Sequence, residues 1–318
     1  AYQDVPLPNG NYHLTALAQN ILQSSSGTKQ KGAWIYANTS KTDINHPGMY
    51  EMNFSVVGGT ARIGIKTEAC TGNYVCLDDI HIYYIGMDND ALMAELKSLI
   101  NSVEALLPVV QSAATRAALK TAVDDAKAVT SAEGIGDKAA TLTAAIYASE
   151  ASIGEYEKLT LALTEAEAIY DALGGNAGKA FKAVIDEARA KCEAGTATPD
   201  DIELYIIKLH REGILYMEAN GTGEVPEVIT YNFVPEGATG ALGRLKVKGF
   251  SDSQLKYKGF CWARHDCPTL KDDFTTTGEK LYDYPGLIYV MEPMEPATEY
   301  WVRAFAMTKD NQVGYGQV

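Results

Sequence analysis

Basic residues are scarce in this chain, since 27 Lys and Arg stand against 41 Asp and Glu and give a formal charge of -14. A surface with that balance repels phosphate backbones unless its basic residues form one patch, and no such patch is visible in the sequence. Long apolar runs are also lacking, because no stretch approaches the roughly 20 residues needed to cross a bilayer. We therefore predict no nucleic-acid partner and no transmembrane segment.

Cysteine is equally scarce, and its five positions form two close pairs and one single residue. Five residues separate Cys70 from Cys76 and Cys261 from Cys267, whereas Cys192 stands alone in a helical pattern. This spacing fits short-range disulfides formed in an oxidising compartment. Both pairs are disulfide candidates, and the chain is expected to be secreted or on the outer cell surface.

The motifs of common catalytic centres are missing. The sequence has no His-Glu-x-x-His, no Gly-x-Ser-x-Gly, no phosphate-binding glycine loop and no Cys-x-x-Cys. The stretch GFCWARHDCP supplies three zinc ligands, Cys261, His265 and Cys267, but a structural zinc site takes four. A strand running into a loop is the favoured interpretation there. We predict no catalytic residue, no metal site and no cofactor within these residues.

Two acidic clusters raise the question of a structural calcium ion. Asp88, Asn89 and Asp90 resemble the start of a calcium loop, but the glycine and glutamate that such a loop requires further on are absent. These residues are predicted to cap a helix instead. Asp78 and Asp79 could ligate calcium, although the start of a strand is favoured for them, and the sequence alone does not decide.

Alternation of apolar and polar residues predicts strands at both ends of the chain, and three- and four-residue spacing predicts helices between them. Strands are expected over residues 1 to 86, and again beyond the linker NGTGEVPEV, with one in KLYDYPGLIYVM. The segment TPDD (198 to 201) predicts a helix start, and Gly174, Gly175 and Gly195 predict helix ends.

The helical region contains an internal repeat. LKTAVDDAKA (119 to 128) aligns without a gap on FKAVIDEARA (181 to 190), and upstream residues, for example Leu96 and Leu159, follow the same offset of about 62 to 63 residues. We interpret this pattern as two tandem three-helix units, one ending near Gly154 and the other near Asn220.

Three families resemble parts of the chain. The last segment resembles a bacterial fibronectin type III-like module, through KGFCWA followed by CPTLKD and through MEPATEYWVRAFAMTKDNQVGYG. That resemblance implies that Tyr300 is a tyrosine corner whose hydroxyl binds nearby backbone, with Val302 and Ala304 facing the core. The first segment is similar to a galactose-binding-like jelly roll found in large secreted proteins of gut bacteria, through YQDVPLPNGNYHLTALAQ, AWIYAN, GMYEMNFSVVGGTARIGIKTE and YVCLDDIHIYYIG. The helices look like FIVAR-like three-helix spacers.

The predicted fold class is therefore a multidomain β, α, β chain with four domains. An antiparallel jelly-roll-like β-sandwich, incomplete relative to its family, is predicted over 1–86. Two tandem three-helix bundles are predicted over 87–154 and 155–222, and a fibronectin type III-like β-sandwich over 223–318.

Sugar binding requires aromatic faces next to hydrogen-bonding groups, because pyranose C–H faces pack on rings while the hydroxyls need polar partners. Five residues of the first segment meet this description and are the predicted ligand-binding set: Trp34, Tyr36, Tyr50, Asn73 and Tyr74.

The first hypothesis is a non-catalytic accessory region of a secreted or cell-surface bacterial protein, with a glycan or glycoprotein as its partner. One alternative is the front half of a glycan- or mucin-directed peptidase or glycosidase whose catalytic domain follows Val318. The other is a structural adhesin or assembly component. The sequence decides neither the glycan nor the oligomeric state.

Overall fold

The computed structural model describes residues 1–24, 29–131, 134–174, 178–276, 289–291 and 293–318. The chain divides into two compact units. Unit 1 contains Ala1–Glu157 and Lys191–Pro199, and unit 2 contains Lys158–Ala190 and Asp200–Val318. The bounds of the four predicted domains stay predictions.

Unit 1 begins with antiparallel strands in two sheets. The strands are β1 (Tyr2–Pro6), β2 (Gly10–Ile21), β3 (Ala33–Ala37), β4 (Ser40–Asp43), β5 (Gly48–Val56), β6 (Thr60–Thr67) and β7 (Tyr74–Gly86). One sheet has the order β1-β6-β3-β4 and the other has the order β5-β2-β7. Both sheets contribute to one core, in which Leu14, Ile35, Phe54 and Ile63 are buried.

Two helices and part of a third follow the strands in unit 1. They are α1 (Asn89–Leu106), α2 (Ala113–Lys127) and the first part of α3 (Ile135–Ala172). Asp88 caps α1 as predicted, since its carboxylate accepts hydrogen bonds from the backbone N–H groups of Asp90 and Ala91. The apolar faces of these helices pack together and form a second core.

The turn between β5 and β6 reaches into that helical core. Val57 is only 1% exposed and packs among the buried residues of α1, α2 and α3. Gly58 allows this approach, because a Cβ atom there would lie 3.1 Å from the backbone of Ala140 in α3. The sheets and helices of unit 1 are thus packed together at this turn.

Unit 2 combines the remaining helices with two more antiparallel sheets. Its helices beyond α3 are α4 (Lys179–Ala194), whose last residues belong to unit 1, and α5 (Pro199–Ala219). Its strands are β8 (Glu227–Glu236), β9 (Gly240–Lys248), β10 (Leu255–Ala263), β11 (Asp273–Thr276), β12 (Tyr289–Met291), β13 (Trp301–Thr308) and β14 (Val313–Tyr315). The sheet orders are β11-β10-β13-β14 and β12-β9-β8.

Strands β10 and β13 separate two cores within unit 2. Phe260 and Trp262 face a core shared with β8 and β9, whereas Cys261 faces the opposite side. There it packs with Phe305 of β13 and with Ile214 of α5. The period-two alternation of strand side chains explains why neighbours in sequence enter different cores.

The predicted fold class is wrong. The described residues form a mixed α and β structure with five helices and four small antiparallel sheets, and two three-helix bundles are not found among them. The error arose at Gly154, where the repeat predicted a boundary, whereas α3 continues through this residue for a total of 38 residues. One interior glycine costs a helix only about 1 kcal/mol, so it does not have to end it.

Other local predictions can be checked one by one. α5 begins at Pro199 as the TPDD segment predicts, and α4 ends just before Gly195, which has a φ of 66°. Gly174, with a φ of 77°, follows the end of α3. The predicted end at Gly175 and the part of the predicted strand over 280–288 lie outside the described residues.

Candidate ligand-binding groove

A groove of about 1060 Å³ lies in unit 1 on the face of sheet β1-β6-β3-β4 that points away from its core. Side chains from α1 and α3 form its other wall. The volume is at the upper end of the range of small-molecule sites in proteins. The groove walls include Tyr2, Trp34, Tyr36, Asn38, Thr39, Lys41, Arg62, Lys66, Tyr147 and Glu150.

Strand β3 places two aromatic side chains in this groove. Ala33, Ile35 and Ala37 are buried in the core, so Trp34 and Tyr36 project from the opposite face and remain partly exposed. The two rings are therefore neighbours on one surface of the sheet.

An arginine lies between two further rings of the groove. The guanidinium carbon of Arg62 on β6 is 4.0 Å from the ring centre of Tyr2 and 3.3 Å from that of Tyr147. Asp4 on β1 accepts two hydrogen bonds from the guanidinium, at 2.8 and 3.0 Å, and Glu150 on α3 accepts a third. Arg62 thereby joins β1, β6 and α3, and it holds both tyrosine rings in place.

Burial and charge change the acidity of these groups. Burial alone would lower the pKa of Arg62, but Asp4 and Glu150 outweigh it and raise that pKa. Burial raises the pKa of Tyr147 to about 12, although Arg62 opposes the shift. Burial likewise raises the pKa of Tyr36. Both phenols are therefore protonated at neutral pH and able to donate a hydrogen bond to a ligand.

The turn between β3 and β4 forms one edge of the groove and is tied to α1. Asn38 has a φ of 51°, and its side chain binds the backbone of Ser55 and Arg62. The hydroxyl of Thr39 donates to the carboxylate of Glu95 at 2.5 Å. Glu95 is 7% exposed, and this burial raises the pKa of its carboxyl group.

The groove offers ring faces and hydrogen-bonding groups side by side. Such a surface suits a ligand that is apolar on one face and carries several hydroxyl groups at its edge. Asn38, Thr39, Tyr36 and Tyr147 supply polar atoms within the groove.

Of the five predicted ligand-binding residues, the structure brings together Trp34 and Tyr36. Tyr50 is buried in the core, and its hydroxyl donates to the carbonyl of His46 at 2.8 Å. Asn73 and Tyr74 lie near the end of β2, where Asn73 accepts a hydrogen bond from the backbone of Gln23. These three residues do not line the groove.

The predicted disulfides are absent from the structure, in which no two of the five cysteines are bonded to each other. The thiol of Cys70 points to the side chain of Asn20, at 3.6 Å, instead of to Cys76 on β7. Cys261 is fully buried against α5, and this burial raises the pKa of its thiol. Cys267 is exposed on the following loop with a φ of 58°. The second pair therefore differs in environment, since one thiol is buried in a core and the other is exposed on the loop.

The cluster in GFCWARHDCP forms no metal centre in the structure. His265 contacts the carboxylate of Asp272 at 2.9 Å. Within the described part of the chain, no group of three or more His, Cys, Asp or Glu side chains could hold a metal ion. Tyr300, the predicted tyrosine corner, accepts a hydrogen bond from the backbone N–H of Glu295 at 3.0 Å.

A second cavity, of about 620 Å³, lies at the end of β10 in unit 2. Four of the charged groups that line it are paired with each other, Arg264 with Glu295 and His265 with Asp272. Trp262 also lines it, and its buried indole N–H has no hydrogen-bond partner among the residues that the structure describes. The groove of unit 1 offers more ring surface, and we consider it the better candidate site.

Sequence reasoning missed several groove residues. Tyr2 of the groove wall lies on β1, as does Asp4, the partner of Arg62, and this short strand was not predicted as separate from the segment that follows it. Tyr147 and Glu150 lie in a region interpreted as a spacer. Their three-residue separation on a helix places them on one face, and this was the available indication that they act together.

The chain matches no protein-family model, and it has no significant match to a curated protein or to a solved structure. The resemblances described above therefore stay predictions. No helix among the described residues has the length and apolar composition needed to span a membrane.

Proposed function

We propose that the groove of unit 1 binds saccharide, and that the chain is a non-catalytic, accessory region of a secreted or cell-surface bacterial protein. The observation that carries the proposal is the position of Trp34 and Tyr36, which project together into a large groove next to the Tyr2, Arg62 and Tyr147 stack. Ring faces provide the apolar contact that pyranose rings need, and the neighbouring polar groups satisfy hydroxyls.

The rigidity of the site supports the same proposal. Arg62 fixes Tyr2 and Tyr147 through its two carboxylate partners, and Glu95 fixes the turn at Thr39. A preorganised surface binds more tightly because less side-chain entropy is lost on binding.

A glycan array probed with the full chain tests the proposal, followed by calorimetry on the saccharides that bind. The double variant Trp34→Ala/Tyr36→Ala is expected to bind at least about tenfold more weakly, because it removes both rings from β3. Tyr74→Ala is the matched control, since Tyr74 is 45% exposed but lies outside the groove. Absence of saccharide binding, or equal affinity for the wild type and the double variant, would contradict the proposal.

A further inference from the structure

We infer that the saccharide bound in the groove is anionic, carrying a carboxylate or a sulfate group that two lysines next to Trp34 recognise. This inference rests on the proposed saccharide binding and names the chemical class of the ligand. Its basis is the placement of Lys41 and Lys66 in an otherwise acidic chain.

The two lysines flank the Trp34 ring on the groove face of the sheet. Lys66 on β6 is paired directly with Trp34 on β3. Lys41 on β4 is paired with Tyr36, and its Nζ lies 4.9 Å from the centre of the Trp34 ring. Residues paired across antiparallel strands project to the same side of the sheet. Two lysine residues therefore flank Trp34 on this side of the sheet, and the ammonium group of Lys41 lies over its ring.

Neither ammonium group has a carboxylate within ion-pair distance among the described residues, unlike Arg62 in the same groove. Arg62 is held by Asp4 and Glu150, so its charge is already compensated. Asp43 is paired with Trp34 on the β4 side, but it does not line the groove. Among the described residues, Lys41 and Lys66 are therefore cations of this wall without a carboxylate partner.

An anionic group on the ligand would complete this arrangement. Carboxylate and sulfate oxygens accept charge-assisted hydrogen bonds from ammonium groups, which are stronger than bonds between neutral groups. Lys41 lies over the Trp34 ring, so a sugar that packs there must displace it, and an anionic substituent gives the displaced ammonium a new partner. A neutral sugar would displace Lys41 without this compensation.

Matched saccharides test the inference. For each neutral saccharide on the array, the same core is compared in a sulfated form and in a form that carries a carboxylated sugar. We expect at least one of the two anionic forms to bind about tenfold more tightly than its neutral core. The variant Lys41→Gln/Lys66→Gln is expected to remove that preference, so that the ratio of the anionic to the neutral affinity falls to about one. Which anionic form gains affinity identifies the substituent.

The control variant Lys120→Gln/Lys246→Gln removes the same charge from two exposed lysines outside the groove. A preference for the anionic form that survives in the groove variant, or one that the control variant also abolishes, would overturn the inference. Equal affinity for neutral and anionic forms, combined with sensitivity to Trp34→Ala/Tyr36→Ala, overturns the inference alone. Absence of binding to every saccharide overturns the proposed function as well.

Discussion

Arg62 is 9% exposed in a protein that has few basic residues. A buried charge is stabilised only when its hydrogen-bonding groups and its charge have partners. Asp4 and Glu150 provide both, and the rings of Tyr2 and Tyr147 cover the two faces of the guanidinium. This single side chain therefore maintains the shape of the groove.

Replacing Arg62 should destabilise unit 1. We expect Arg62→Gln to lower the free energy of unfolding by about 2 kcal/mol, because two carboxylates lose a charged partner in a partly buried setting. Urea denaturation measures the change. Lys127→Gln is the control, since Lys127 forms an exposed, 3.9 Å ion pair with Glu104 and should cost less than about 0.5 kcal/mol. Equal effects of the two substitutions would show that Arg62 has no special structural role.

Glu95 should make stability depend on pH. Burial raises the pKa of its carboxyl group in the folded state, so the unfolded chain ionises first as the pH rises. At low pH the carboxyl group is protonated in both states and does not destabilise the fold. As the pH rises from its pKa in the unfolded chain to its raised pKa in the folded state, the free energy of unfolding falls. We expect Glu95→Gln to gain stability relative to the wild type as the pH rises above the ordinary pKa of a glutamate carboxyl group.

Thermal unfolding at several pH values measures this difference. The matched control is Glu104→Gln, on the same helix but with a side chain that is 68% exposed. A difference between wild type and Glu95→Gln that does not change with pH would mean that ionisation of Glu95 has no influence on folding.

At the scale of elements, α3 gives the clearest prediction. Gly154 lies inside the helix, and a Cβ atom placed there meets no atom within 4 Å. We expect Gly154→Ala to raise the free energy of unfolding by about 0.5 to 1 kcal/mol, because alanine loses less backbone entropy in a helix. If the helix ended at Gly154, the substitution would bring no gain.

Gly58 provides the opposite case, and urea denaturation can compare both. Its added Cβ would lie 3.1 Å from the α3 backbone, so Gly58→Ala should lower the free energy of unfolding by about 1 kcal/mol or more. Stabilisation by both substitutions would contradict the close packing of the β5–β6 turn on α3.

The elements that could be predicted are those with a clear hydrophobic period. In β3 the alternation of Ala33, Ile35 and Ala37 with Trp34 and Tyr36 gave both the strand and its two faces. Strand β4 was missed because its sequence, SKTD, contains no apolar residue, and it is defined by pairing with β3 alone. A strand such as β4 can form through its pairing with a neighbouring strand, although its own sequence carries no strand pattern.

The candidate site was only partly predictable for a related reason. Alternation places Trp34 and Tyr36 on one face of β3, but it does not show that this face is exposed, and Tyr147 reaches the groove through the packing of a helix more than 100 residues away in sequence. Tyr50, like Tyr36, is a tyrosine in a strand of alternating apolar and polar residues. Only the pairing of β5 with β2 shows that Tyr50 belongs to the core. Long-range packing decides which of several tyrosines share a surface.

At the scale of the whole molecule, the net charge of -14 repels the anionic saccharide that the groove is proposed to bind. At low ionic strength the field of the chain extends about 30 Å and repels an approaching anion, whereas at about 0.15 M salt it extends about 8 Å. We therefore expect the association rate of an anionic saccharide to rise between about 10 mM and about 150 mM salt, and that of a neutral one to stay constant.

Surface plasmon resonance with the saccharides found on the array measures both rates. An association rate for the anionic ligand that falls as salt is added would show that the lysines of the groove, and not the net charge, control the approach. Whichever way its association rate changes, the anionic ligand is expected to dissociate faster as salt is added, because salt screens its contacts with the lysines.

The β5–β6 turn has a consequence for the rate at which backbone amides exchange with solvent. Turns with two adjacent glycines ordinarily exchange quickly, since local opening costs little free energy. Here the residue before those glycines is buried among three helices, and the N–H of Gly59 donates to the side chain of Asn9 at 2.9 Å. Opening the turn requires the helices of unit 1 to separate, so its amides should exchange in deuterated water as slowly as those in the middle of α2.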